Sequence, residues 1–232
     1  MMNFDAIMAE VQGVVRQKGI NFFDPPEAQF ESELRNGLIR AKVPNVQPYQ
    51  STMDVFDNGE GKRMKPDIVA GTVAFELSCR KDSPTRGHYK FLRDVWKIEQ
   101  MVNSEKTDIK SGYTVLLTNK EQYWNPDARI KEKNGKDFWL REFFLNPGFE
   151  IFGGQTLAVD WDGDMGRRGK NDIKRSLSSR FKCTEANKKD EGIGKLTFCG
   201  NYKVNWQIWR GFQCANNSDN RYLIFYYGND KK

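Results

Sequence analysis

Asp67 and Glu76 stand at the two ends of the run D-I-V-A-G-T-V-A-F-E, whose residue types call for a β-hairpin. Asp67–Ala70 and Val73–Leu77 are strand-like, and Gly71-Thr72 lies between them. A two-residue loop that begins with glycine suits the tight turns between antiparallel strands, because its first position needs a positive φ. With Gly71-Thr72 as the loop, Ala70 faces Val73, Val69 faces Ala74, Ile68 faces Phe75 and Asp67 faces Glu76. Opposed side chains on an antiparallel pair lie about 4.5–5.5 Å apart at Cβ. Two carboxylates at that spacing repel each other unless something positive lies between them. Magnesium takes oxygen ligands, usually one or two carboxylates with water and phosphate. The spacing therefore allows a shared Mg²⁺, with Mn²⁺ as a substitute. A solvated acidic pair is the competing reading. Against it, Phe75, Leu77 and Cys79 alternate with Glu76, Ser78 and Arg80, so one face of the strand is apolar and the other polar.

Helices and further strands must position this hairpin. Phe4, Ile7, Met8, Val11, Val14 and Val15 recur at helical spacing, which predicts a helix over residues 3–18. Asp24-Pro25-Pro26 is a start signal for a second helix, about 26–40, with Phe30, Leu34 and Leu38 inward. Residues 43–61 read as strand and turn pieces, and Ser83–Gly87 as a loop. Phe91, Val95, Ile98 and Val102 mark a third helix over about 88–105. Gly112–Thr118 is an unbroken apolar strand of the kind buried on both faces. A shorter helix is expected over 138–145, then strands over 156–161, 196–209 with an interruption, and 222–227.

The chain has 232 residues, a formal net charge of +6 and a single histidine, His88. The basic excess permits a polyanionic partner. Cys79, Cys183, Cys199 and Cys214 lack paired C-x-x-C spacing, which argues against a zinc site and for reduced thiols in a cytoplasmic protein. Asp5 and Glu10 interrupt any N-terminal signal-like run, and no stretch reaches the ~20 apolar residues of a membrane span. Residues 163–189 hold nine Lys or Arg against three Asp or Glu. Arg167, Arg168, Lys170, Lys174 and Arg175 are its candidate phosphate contacts, although a solvated loop explains the segment as well.

The order helix, acidic hairpin, helix, buried strand resembles the core of the PD-(D/E)XK, or restriction-endonuclease-like, nuclease superfamily. The likeness rests on Phe30-Glu31 with Leu34 and Leu38, on Pro66-Asp67, and on Glu76-Leu77-Ser78. The run His88–Glu99, Leu116–Asn119, Tyr123-Trp124, Gly200-Asn201-Tyr202, Trp206 and Arg221-Tyr222-Leu223 look like a bacterial branch of that superfamily. The resemblance implies an α/β fold, a restriction-endonuclease-like core with a mixed central sheet flanked by helices. Residues 1–150 would form this core, and 151–232 a β-rich region packed on it. It implies a Mg²⁺-dependent endonuclease acting on DNA, of restriction or defence type, with Asp67, Glu76 and Glu31 around the metal. A homodimer would cut both strands of a duplex. RNA processing is a further class.

The superfamily's motif lysine falls on Ser78. Lys81 is the nearest replacement, but its offset from Glu76 points it to the opposite face unless the strand ends or bulges after Cys79. Lys90 and Lys97 on the following helix are other donors. Arg80 shares the parity of Glu76 and could stabilise charge or contact nucleic acid, but it cannot act as a base. Alternatively the carboxylates and a metal-bound water suffice, or the fold is a catalytically silent nucleic-acid-binding or protein-interaction module. His88 is expected to cap or pack, and the C-terminal aromatics to fill a core rather than stack bases. Asp94 and Glu99 are expected to be solvated on their helix.

Overall fold

The computed structural model describes residues 3–18, 28–48, 53–54, 63–80, 84–125, 147–154, 156–160, 193–209 and 220–228. Helices α1 (Phe4–Lys18) and α2 (Ala28–Arg40) come first, then strands β1 (Val46–Pro48), β2 (Met53–Asp54), β3 (Arg63–Met64), β4 (Ile68–Ala70) and β5 (Val73–Arg80). Helix α3 (Pro84–Asn103) crosses over to β6 (Ser111–Thr118), which ends in a 3₁₀ turn, Glu121–Tyr123. Strands β7 (Glu150–Ile151), β8 (Thr156–Asp160), β9 (Ile193–Thr197), β10 (Tyr202–Lys203), β11 (Gln207–Ile208) and β12 (Arg221–Gly228) follow.

The protein is α/β, with a six-stranded mixed sheet in the order β1-β4-β5-β6-β12-β11. Only β5 and β6 run parallel, joined by α3 as their crossover; the other neighbours are antiparallel. Strand β12, late in the chain, pairs with β6 over eight positions, so the C-terminal region completes the sheet that carries the hairpin. Seven of the eight β6 residues are buried, as expected of an apolar strand covered on both faces.

Each face of the sheet has its own apolar layer. On one side Phe4, Ile7, Met8, Val11 and Val15 of α1 and Phe30, Leu34 and Leu38 of α2 meet Phe75, Leu77, Val115 and Leu117. Each such side chain stabilises the fold by about 1.5–3 kcal/mol when fully buried. On the other side Phe91, Leu92, Val95, Ile98 and Val102 of α3 meet Ala74, Leu116, Leu223 and Phe225. Asn3 caps α1 by accepting from the Ala6 N–H at 3.1 Å.

Two sequence expectations are corrected. The segment Ser83–Gly87 is not a loop throughout, because α3 already begins at Pro84. Proline suits the first helical turn, where its missing N–H has no partner to lose and its φ is preset. Asp94 and Glu99 are not solvated: they are 4% and 0% exposed. Both occupy the apolar stripe of α3, Asp94 three residues after Phe91 and Glu99 between Val95 and Val102. Glu99 accepts from the Cys199 and Gly200 N–H groups at 2.9 and 2.7 Å and from the Tyr202 hydroxyl at 2.6 Å, tying α3 to the C-terminal region. Burial raises its pKa, and these three donors oppose the rise. The expected helix over 138–145 lies outside the described residues. Among those that are described, no helix is long and apolar enough to cross a membrane.

Candidate functional site

The hairpin adopts the expected register: Ile68 opposite Phe75, Val69 opposite Ala74 and Ala70 opposite Val73. Gly71 takes a φ of +61°, which an L side chain adopts only under strain. Just before β4 the Asp67 N–H donates at 3.0 Å to the carbonyl of Phe75, the residue already opposite Ile68, so the ladder stops one position short of the expected Asp67–Glu76 pair. The Leu77 N–H donates to Asp67 Oδ2 at 2.7 Å, which turns the Asp67 carboxylate toward the middle of β5. Glu76 faces the α3 side of the sheet, with Thr114 of β6 as its register partner.

The electrostatics tie four elements together. Burial raises the Asp67 carboxyl from 3.8 to about 6; the Leu77 N–H and Lys97 pull it down, while Asp94 and Glu31 push it up. Burial likewise holds Glu76 well above the usual carboxylate range, opposed by Lys97 and reinforced by Asp67 and Asp94. Asp67 before β4, Glu76 on β5, and Asp94 and Lys97 on α3 therefore form one charged group, and the field of Glu31 on α2 reaches Asp67. The Arg93 guanidinium lies 3.4 Å from Asp94.

Among the described residues, Lys97 is the basic group paired with Glu76. It is 8% exposed, pairs with Glu76 Oε1, and donates to the Lys65 carbonyl. The i, i+3 spacing of Asp94 and Lys97 puts both on the helix face that meets the sheet. Ser78, where the superfamily carries lysine, is buried two residues along β5 from Glu76. Lys81, Arg167, Arg168, Lys170, Lys174 and Arg175 lie outside the described residues, as do the side chains of Arg80, His88 and Lys90.

Hard oxygen donors from two carboxylates, with room left in the coordination shell for water and phosphate, match what Mg²⁺ accepts. Asp67 and Glu76 supply such donors, and burial disfavours the charged form of each. Among the described residues no group of three or more His, Cys, Asp or Glu side chains is arranged to hold a metal ion. A cation here would rest on the two acids, and the Lys97 ammonium would have to share Glu76 with it. Sequence reasoning named Lys97 without preferring it and left out Asp94 as a buried partner. Polar residues at stripe positions of an otherwise apolar helix face were the signal.

Comparison with known proteins yields no match to a protein-family model, to a curated protein or to a solved structure.

Proposed function

We propose that this protein is a Mg²⁺-dependent endonuclease that hydrolyses DNA phosphodiester bonds. The observation that carries the reading is the neighbouring acidic pair Asp67 and Glu76 with the Lys97 ammonium against Glu76. Asp67 and Glu76 would hold the metal, with Glu31 adding a contact from α2, and the metal would supply Lewis acidity toward a water and the scissile phosphate. Lys97 takes the part that position 78 leaves open: its ammonium orients the attacking water and offsets negative charge. The basic segment 163–189, with Arg167, Arg168, Lys170, Lys174 and Arg175, contacts the DNA backbone, and Arg80 adds a further cation.

Plasmid nicking with Mg²⁺ or Mn²⁺ tests this, with EDTA as the control. Wild type nicks, and Asp67→Ala and Lys97→Ala do not. Nicking that persists in Asp67→Ala removes the proposed metal site. Loss of RNA but not of duplex DNA redirects the activity to RNA processing.

A second reading has its own support. Lys97 already neutralises Glu76 from within the protein, and a site closed by its own ammonium suits a catalytically silent nucleic-acid-binding or protein-interaction module. DNA binding without cutting in either metal favours that reading.

A further inference from the structure

Past Thr118 the chain leaves the sheet and, with the stretch from Lys203 to Trp206, walls a cleft of about 990 Å³. Trp124, Trp206 and Arg221 give it its character. The two indole rings lie 6.1 Å apart at 56°. The Arg221 guanidinium carbon lies 5.8 Å from the centre of the Trp124 ring. Polar groups complete the wall: Asn125 donates to Glu121 at 2.6 Å, Asn205 is exposed, and Lys203, paired with Glu150 at 3.0 Å, remains 68% exposed at its side chain.

The half-buried Trp124 ring beside Arg221, Lys203 and amide groups, backed by Trp206 from the core, suits a planar heteroaromatic ring that carries negative charge. A nucleobase with its phosphate has that chemistry. Stacking on aromatic faces is how unpaired bases are held without regard to sequence, and an arginine beside the ring adds attraction for both base and phosphate. An acyl chain would leave the guanidinium and amides without use.

Arg221 also lies near Glu76 in the sheet. Arg221 is opposite Thr118, four residues along β6 from Thr114, which is opposite Glu76. That is about 13 Å along the strand and two strand spacings, about 10 Å, across. Arg221 has the same parity as Leu223 and Phe225, which pack toward α3, so it shares the sheet face of Glu76. The combined reach, about 16 Å, is roughly five stacked nucleotides at 3.4 Å per step.

We infer that the Trp124–Trp206–Arg221 cleft binds an unstacked base of single-stranded DNA together with its phosphate. This rests on the reading above for its substrate class, and it makes the preferred substrate one with single-stranded character beside the cut.

The test uses the full chain in EDTA, where no metal-dependent cutting occurs. A fluorescein-labelled 12-residue oligothymidylate is titrated and followed by anisotropy, beside a duplex of equal length and free thymidine monophosphate. The expected result is tighter binding of the single strand than of the duplex, and weak binding of the mononucleotide. Trp124→Ala should bind the single strand about tenfold more weakly, and Trp124→Phe should recover most of the loss, as stacking predicts. Asn205→Asp, at an exposed cleft position, should weaken binding severalfold even if Trp124→Ala does not fold. Unchanged affinity in folded Trp124→Ala or in Asn205→Asp overturns the subsite, and a mononucleotide that binds as tightly as the oligomer overturns the single-strand assignment. Plasmid nicking in Mg²⁺ is scored separately. Trp124-dependent binding without nicking supports the subsite and removes the catalytic reading; nicking with affinity unchanged in Trp124→Ala does the reverse.

Discussion

Lys97 Nζ on α3 makes an ion pair with Glu76 Oε1 on β5, and the two side chains are only 10% and 4% exposed. A helix that packs on the sheet thereby places an ammonium beside the acid of the hairpin. The same helix carries Asp94, whose charge raises both Asp67 and Glu76.

Removing that ammonium should be costly. Breaking a buried pair by deleting one partner typically destabilises by about 3–5 kcal/mol, and Glu76 can limit the loss by taking up a proton. Lys97→Ala is expected to lose about 3 kcal/mol in urea unfolding at pH 8 and less at pH 5, where a proton is available to Glu76. Equal losses at both pH values would mean that the pair does not govern the ionisation of Glu76.

Asp67 should leave a signature in the pH dependence of stability. Its carboxyl is raised from 3.8 to about 6, so it holds its proton more tightly folded than unfolded. The contribution favours folding fully below about pH 4 and is lost as pH climbs through 6, roughly 3 kcal/mol in all. Asp67→Asn, which stays neutral, should show a flatter stability profile between pH 4 and 7. A thermal-unfolding series at 0.5-unit steps reads this directly, and identical slopes in the two proteins would refute it.

Metal binding should invert that trend. A cation competes with the proton at the acidic pair, so added Mg²⁺ should raise the melting temperature more at pH 8 than at pH 5. Asp67→Asn should lose most of the shift. No shift in wild type at millimolar Mg²⁺ at pH 8 would leave the acidic pair without a metal-binding role.

Glu99 should behave as a structural anchor. Glu99→Leu leaves the N–H groups of Cys199 and Gly200 and the hydroxyl of Tyr202 without their acceptor. Tyr202 is the buried donor among them, and an unsatisfied buried donor costs about 1–3 kcal/mol, so a loss of that size is expected, with faster amide exchange at 199 and 200. Unchanged exchange there would show that the C-terminal region is held by other contacts.

Gly112 should not tolerate a methyl group. A Cβ at this position of β6 would lie 2.7 Å from Ile98 Cγ2 and 2.9 Å from the Ala74 carbonyl oxygen. The backbone contact cannot yield as a side chain would, so Gly112→Ala is expected to cost about 1–3 kcal/mol. Chemical denaturation measures it, and a neutral result would mean that α3 can move off β5 and β6 at little cost.

Local chemistry was enough to make the hairpin legible. Strand-forming runs on either side of Gly71-Thr72 set the turn, and the turn set the register from Ala70–Val73 to Ile68–Phe75; Asp67, just before β4, lies close enough for its charge to raise Glu76. Helical spacing likewise marked α1, α2 and most of α3, and the apolar run 112–118 announced a strand covered on both faces. These features depend on neighbours a few residues apart, which is the range over which periodicity and turn chemistry operate. What lay beyond that range was decided by packing. Lys97 stood among several cations that could have served Glu76, and only the docking of α3 across β5 and β6 selected it. Asp94 and Glu99 looked like solvent-facing charges until the helix stripe they occupy was pressed against the sheet and the 199–202 turn. The cleft of Trp124, Trp206 and Arg221 joins three stretches far apart in the chain, because β12 returns beside β6, and no local pattern encodes that return.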